Sequence, residues 1–238
     1  MFAGFFIRIV SLVETGRHGG TCKYKKDEKF HYAYLRQVEA RAANMCPKIC
    51  FKMREARLEY RPGRSRTAAM IIRSHTKGDA PSTAVYSDCE TYRYSLTRVW
   101  DPEGQRVLFV MLNPSTATEV QNDPTIERCE RRARALGFGG FRAANIFACR
   151  VTDPREMRRL DEPEGSENMA AILEGMAWAD TVICAWGTHG EHRGQGARVE
   201  EALRATGKQL HHLGLSKAGH PKHPLYIAYS QQPQLWRE

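Results

Sequence analysis

The chain has 238 residues, of which 42% are hydrophobic, enough for one large α/β domain or two small ones. Its formal charge of +9 suggests a polyanion binder until the charge is located. Residues 1–69 hold 15 Lys/Arg against 6 Asp/Glu and residues 70–238 hold 21 of each, so the excess says nothing about the later part. The opening MFAGFFIRIVSLV is too short and too interrupted by Arg8 for a membrane span, and it lacks the basic start of a signal peptide. Seven cysteines in no tight framework fit a reducing cytoplasm, and Cys46 and Cys50 are too isolated for a metal site.

Residues 1–69 mix charges without sustained periodicity. They read as a basic disordered arm, a small accessory domain, or upstream sequence preceding a natural start at Met70. The third alternative is preferred, with residues 1–69 carrying no function and 70–238 forming a single α/β domain. Thr91–Trp100 (TYRYSLTRVW) alternates as a half-buried strand does, and Asp101-Pro102-Glu103-Gly104 is a turn signal. The apolar run VLFVML after it reads as a strand buried on both faces, and the two are expected to form an N-terminal antiparallel hairpin. The run enters a polar turn, Asn113-Pro114-Ser115.

Asp123-Pro124 starts a helix with Ile126, Cys129, Ala133 and Leu136 on one face and Gly137 as its stop. Arg128, Arg131, Arg132 and Arg134 are expected on its solvated remainder. Phe141–Phe147 is a second buried strand, ending in Ala148-Cys149-Arg150, and Thr152-Asp153-Pro154 begins a turn or short helix. Ser166 is expected to cap a helix carrying Met169, Ile172, Leu173 and Met176. TVICAW forms a third strand closed by Gly187. A helix with Val199, Ala202 and Leu203 ends at Gly207, and Gln209–Leu213 is a fourth strand. Strands alternating with helices predict a three-layer α/β sandwich around a central, mostly parallel sheet of about four core strands.

The turns after these strands share the carboxyl edge of the sheet, where open α/β sheets bind ligands. No Gly-x-Gly-x-x-Gly, Walker loop or Gly-x-Ser-x-Gly elbow is present, which argues against nucleotide-cofactor and acyl-transfer chemistry. His189 and His192 flank Gly190 in a loop, and His211 and His212 point to opposite faces of a strand. These are expected to be core or surface histidines, with no metal and no cofactor.

The series MLNPSTA, NDPTIERC, NIFACR, AWG and KHPLY resembles a bacterial domain family of unknown function over roughly residues 75 to 235. More distantly it is similar to the uracil-DNA glycosylase superfamily, whose Asn-Pro-Gly, Asn-x-x-x-Cys-Arg-Pro and His-Pro-Ser segments it parallels. That resemblance implies a uracil-DNA glycosylase-like fold and a nucleobase-recognising protein, in the first place a DNA base N-glycosidase-like enzyme or a relative specialised for a modified base. The alternatives are a base- or nucleotide-binding module without catalysis and a small-molecule hydrolase.

By carry-over, Asn113 positions water, Asn145 bonds the base edge and His223 stabilises the departing base. Asp123 could serve as the missing carboxylate, its other role being the helix N-cap. Pro114, Ser115, Arg150, Trp186 and Gly187 complete the expected substrate rim, and Leu225 or Tyr226 would wedge into a duplex. The chain departs from the superfamily in lacking an Asp at the first motif. It also carries Val151 and Leu225 where Pro and Ser are expected, and has no four-cysteine cluster pattern. The implied partner is a nucleic acid or a nucleobase-containing ligand.

Overall fold

The computed structural model describes residues 9–11 and 70–237; apart from strand β1 (Ile9–Ser11), the expectation for residues 1–69 lies outside the described residues. Strands β2 (Met70–Lys77) and β3 (Ala80–Ser87) form a hairpin around Gly78-Asp79, where Gly78 takes φ +61, a conformation that costs glycine nothing. β4 (Arg93–Val99) lies antiparallel to β3. The next strand, β5 (Arg106–Met111), does not pair with β4 as the expected hairpin requires. β6 (Gly140–Asn145) lies between them, antiparallel to β4 and parallel to β5. The turn between β4 and β5 therefore has to step across the start of β6. Backbone N–H groups of Trp100 and Asp101 donate to the Gly139 carbonyl, and Gly139 N–H donates to Gln105 O. A Cβ on Gly139 would sit 2.3 Å from the Asp101 carbonyl, so only glycine permits the crossing.

On its other side β5 pairs in parallel with β7 (Thr181–Ala185), which pairs in parallel with β8 (Leu210–His212). β9 (Gln234–Leu235) closes that edge antiparallel, and β1 runs parallel to β2 at the other. The order is β1-β2-β3-β4-β6-β5-β7-β8-β9. The expected mostly parallel sheet is thus corrected to a mixed one, because the segment before β5 adds an antiparallel flank. The fold is mixed α/β.

Alternate β5 residues feed two cores. Phe109 and Met111 pack with Phe141, Ile183 and the Ile126, Cys129 and Ala133 face of helix α1 (Pro124–Ala135). Leu108 and Val110 pack with Val182 and Cys184 against α3 (Asn168–Trp178) and α4 (Gln195–Arg204). Each such buried side chain contributes roughly 1.5–3 kcal/mol. A short α2 (Pro154–Met157) follows β6. Among the described residues no helix is long and apolar enough to cross a membrane.

α1 begins as expected: Asp123 Oδ1 accepts the Ile126 N–H at 2.8 Å, Pro124 opens the first turn, and Gly137 at φ +79 ends it. Two expectations fail. α3 starts at Asn168 rather than from a Ser166 cap, since the buried Asn168 amide is anchored on the Asn145 and Ile146 carbonyls. Nor is the arginine face of α1 solvated throughout. Arg132 is 1% exposed and donates to the carbonyls of Ile227, Ala228, Tyr229 and Gln231, while Arg128 Nε donates to Leu225 O at 2.8 Å. The carboxyl-terminal segment supplies acceptors that helical periodicity cannot foresee.

Candidate functional site

The carboxyl ends of β5, β6 and β7 lead into three loops, and a fourth loop, residues 220–226, packs against the loop after β7 and against α1. Asn113, just past β5, is partly exposed. Its Nδ2 donates to Val151 O at 2.6 Å and to Pro114 O at 3.0 Å. Both amide hydrogens are thereby committed, and Oδ1 remains as an acceptor with no donor among the described residues. Ser115 Oγ donates to Thr152 Oγ1 at 3.2 Å, and the buried Pro114 carbonyl accepts the Val151 N–H.

His223 precedes the turn Pro224–Tyr226, and its Nδ1 accepts the Leu225 N–H at 3.4 Å. Burial, opposed in part by the nearby Asp123 carboxylate and reinforced by His189, pushes its pKa down to about 4. The ring is neutral at pH 7, and with Nδ1 accepting, the proton sits on Nε2. Gly187, at φ +72, lies beside it: a Cβ there would be 3.8 Å from His223 Cβ, and the Gly187 N–H donates to Pro221 O. His189 Nδ1 lies 2.7 Å from Arg158 Nη2, and burial with that guanidinium holds its pKa below the usual histidine value.

Asp123 is the N-cap of α1. Besides the Ile126 N–H, its carboxylate accepts the Ala117 N–H at 3.3 Å, so the cap also ties down the turn that carries Asn113 and Ser115. Contacts at the rim join Asn113 to Val151, Ser115 to Thr152, Arg158 to His189 and Asp123 to Ala117, and the charges of Asp123 and His189 act on His223.

The other expected residues fall in four settings. Asn145, at the end of β6 and in register with Met111, is 2% exposed, and its Oδ1 has no hydrogen-bond partner. Trp186 is covered, with 2% exposure. It lies 5.6 Å from the Trp236 ring in a slot formed by Gly190 and Gly196, and serves the α4-side core. Ser115 and Arg150 meet in a separate cleft of about 490 Å³, also lined by Thr91, Thr116 and Thr152, that does not include His223. Leu225 is partly buried, whereas Tyr226 is 82% exposed with its ring 6.3 Å from that of His223.

Sequence reasoning missed the buried groups that hold the 113–123 loop. Arg93, 1% exposed, donates to Ala117 O at 2.6 Å. Arg98, fully buried, donates to Thr118 O, to Asn122 Oδ1 and to the Glu130 carboxylate. Tyr86 donates to Glu119 at 2.9 Å, and burial together with that carboxylate pushes its phenol up to about 12. Burial also takes the Arg93 guanidinium down to about 10, still charged at pH 7. The available signal was the presence of two arginines in an otherwise apolar or small-polar strand, with Glu119 and Glu130 downstream to receive charge. Cys129, Cys149 and Cys184 are buried and free. Among the described residues, no group of three or more His, Cys, Asp or Glu could hold a metal ion.

No curated protein and no solved structure matches this chain. One family model covers residues 93–225, from the first rim-holding arginine to the loop that carries His223. The chain therefore belongs to the family described as "Protein of unknown function (DUF1643)".

Proposed function

We propose that the rim at the carboxyl ends of β5, β6 and β7 recognises a nucleobase, and that the protein cleaves an N-glycosidic bond. What carries this reading is a pair of fixed hydrogen-bond polarities. Asn113 offers an acceptor because its amide hydrogens are spent, and His223 offers a neutral donor because Nδ1 is engaged and the ring resists protonation. Hydrolysis needs both kinds of group. Water adds to the anomeric carbon, the C–N electron pair leaves on the base, and the proton from water ends on the released base. An acceptor that orients water without being a strong base suits an oxocarbenium-like sugar, and an uncharged N–H donor stabilises the departing base anion. The buried, unpartnered Asn145 Oδ1 would accept from a base N–H. The motif resemblance to the uracil-DNA glycosylase superfamily, an expectation from the sequence alone, implies the same reaction class. The exposed Tyr226 beside His223 suits a wedge that fills the gap left by a flipped nucleotide.

The test is incubation of the full chain with oligonucleotides carrying uracil, hypoxanthine or bulkier modified bases, followed by alkali. Strand breaks that disappear in Asn113→Ala and His223→Gln are expected. One observation favours a second reading, a base-binding module without catalysis: both Asp123 interactions seen are with backbone N–H groups, the work of a cap rather than of a base. Specific retention of one modified base without breakage would select that reading.

A further inference from the structure

Arg93 and Arg150 are close enough that each charge acts on the other, and neither makes an ion pair among the described residues. Each has a buried Nε without a hydrogen-bond partner, and the bonds they do make are to backbone carbonyls, Ala117 O for Arg93 and Glu90 O for Arg150. Arg150 also lies over the Tyr86 ring, 5.1 Å from its centroid. The neighbouring carboxylates are already engaged, Glu90 among them although it lines the same cleft as Arg150. Glu90 pairs with Arg73 at 2.5 Å, Glu119 accepts from Tyr86, and Asp123 caps α1. Two guanidiniums within electrostatic reach of each other, neither hydrogen-bonded to a carboxylate and with only the more distant Asp123 charge to offset them, are costly in a low-dielectric setting. Arg150 opens into the cleft of about 490 Å³, whose wall carries the hydroxyls of Thr91, Ser115, Thr116 and Thr152.

We propose that this cleft is a phosphate site: Arg150 grips the anion, the Thr116 and Thr152 hydroxyls donate to it, and the Arg93 charge adds to the field. Guanidinium and hydroxyl donors together suit the several oxygens of a tetrahedral anion. The inference rests on the nucleobase reading and narrows it, since the substrate is then a phosphorylated nucleotide rather than a free nucleoside. Ser115 lies two residues from Asn113 on the same turn, so the phosphate and the attacking water would be held by one loop.

The source of the phosphate, a polynucleotide backbone or a mononucleotide, is distinguished by titrating the full chain with inorganic phosphate, deoxyuridine, deoxyuridine monophosphate and a short single-stranded oligonucleotide. The monophosphate should bind about tenfold or more tightly than the nucleoside, the advantage of a charged hydrogen bond. Arg150→Gln should abolish that advantage, Arg150→Lys should keep part of it, and Thr152→Val should weaken it with the fold unchanged. A further gain for the oligonucleotide would assign the phosphate to a polynucleotide backbone. Equal binding of nucleoside and monophosphate by the wild type, or an advantage that survives Arg150→Gln, would overturn the proposal. Arg150-dependent binding of inorganic phosphate with no gain from an attached nucleoside would uphold the phosphate site while sinking the base reading.

Discussion

Replacing His223 by Gln should change how stability depends on pH, whatever the reaction. In the folded protein burial takes this histidine from 6.5 to about 4. The unfolded chain therefore takes up a proton as pH falls through about 6.5, while the native state resists until about 4. Stability is fully retained above the unfolded value, declines as pH falls from about 7 to about 4, and levels off below that. Each tenfold change in proton affinity is worth about 1.4 kcal/mol, so the full effect is about 3 kcal/mol, of which about 2 kcal/mol has accrued by pH 5. Urea unfolding of wild type and His223→Gln at about pH 7.5 and pH 5 measures it. Wild type should lose about 2 kcal/mol more than the variant between the two conditions, because Gln does not titrate. His189 is present in both proteins and largely cancels from the difference. Parallel losses would refute the picture of a desolvated, neutral imidazole, and with it the donor role proposed for Nε2.

Asp123→Ala should cost about 1–2 kcal/mol through the lost cap, with Asp123→Asn much milder. If Asn also preserves the proposed cleavage, the carboxylate acts only as a cap. Gly190→Ala places a Cβ 2.2 Å from Trp186 Cδ1, so Trp186 must move. A loss of about 1–3 kcal/mol in denaturant unfolding is expected, and an unchanged midpoint would show that the slot is looser than described. Arg132→Met removes the donors to four carbonyls of residues 227–231. Limited proteolysis should then cut the segment after Leu225 much faster, at a stability cost of about 3 kcal/mol. An unaltered digestion pattern would show that Arg132 does not hold the segment.

Much of the architecture was legible in the residues because the relevant forces are local. Asp123-Pro124 and Gly137 bracket α1 through capping and backbone geometry, and the VLFVML and TVICAW runs mark strands buried on both faces. The positions of Asn113, Gly187 and His223 at the sheet's carboxyl edge followed from strand–helix alternation. The partner of β4 did not follow, since alternation assigns a side chain to a face but leaves the neighbouring strand open. That choice rested on Gly139 admitting the turn across β6.

The chain's own order of apolar and polar residues therefore determined where most of the core helices and strands begin and end, through groups within a few residues of one another, the start of α3 being an exception. Only the tertiary structure decided which charges are buried. Arg93, Arg98 and Arg132 look like solvated side chains in the sequence, and they enter the interior because carbonyls and carboxylates from distant segments arrive to receive them. Desolvating a charge becomes tolerable only when its acceptors converge in space, and that convergence is a property of the folded chain rather than of any stretch of it.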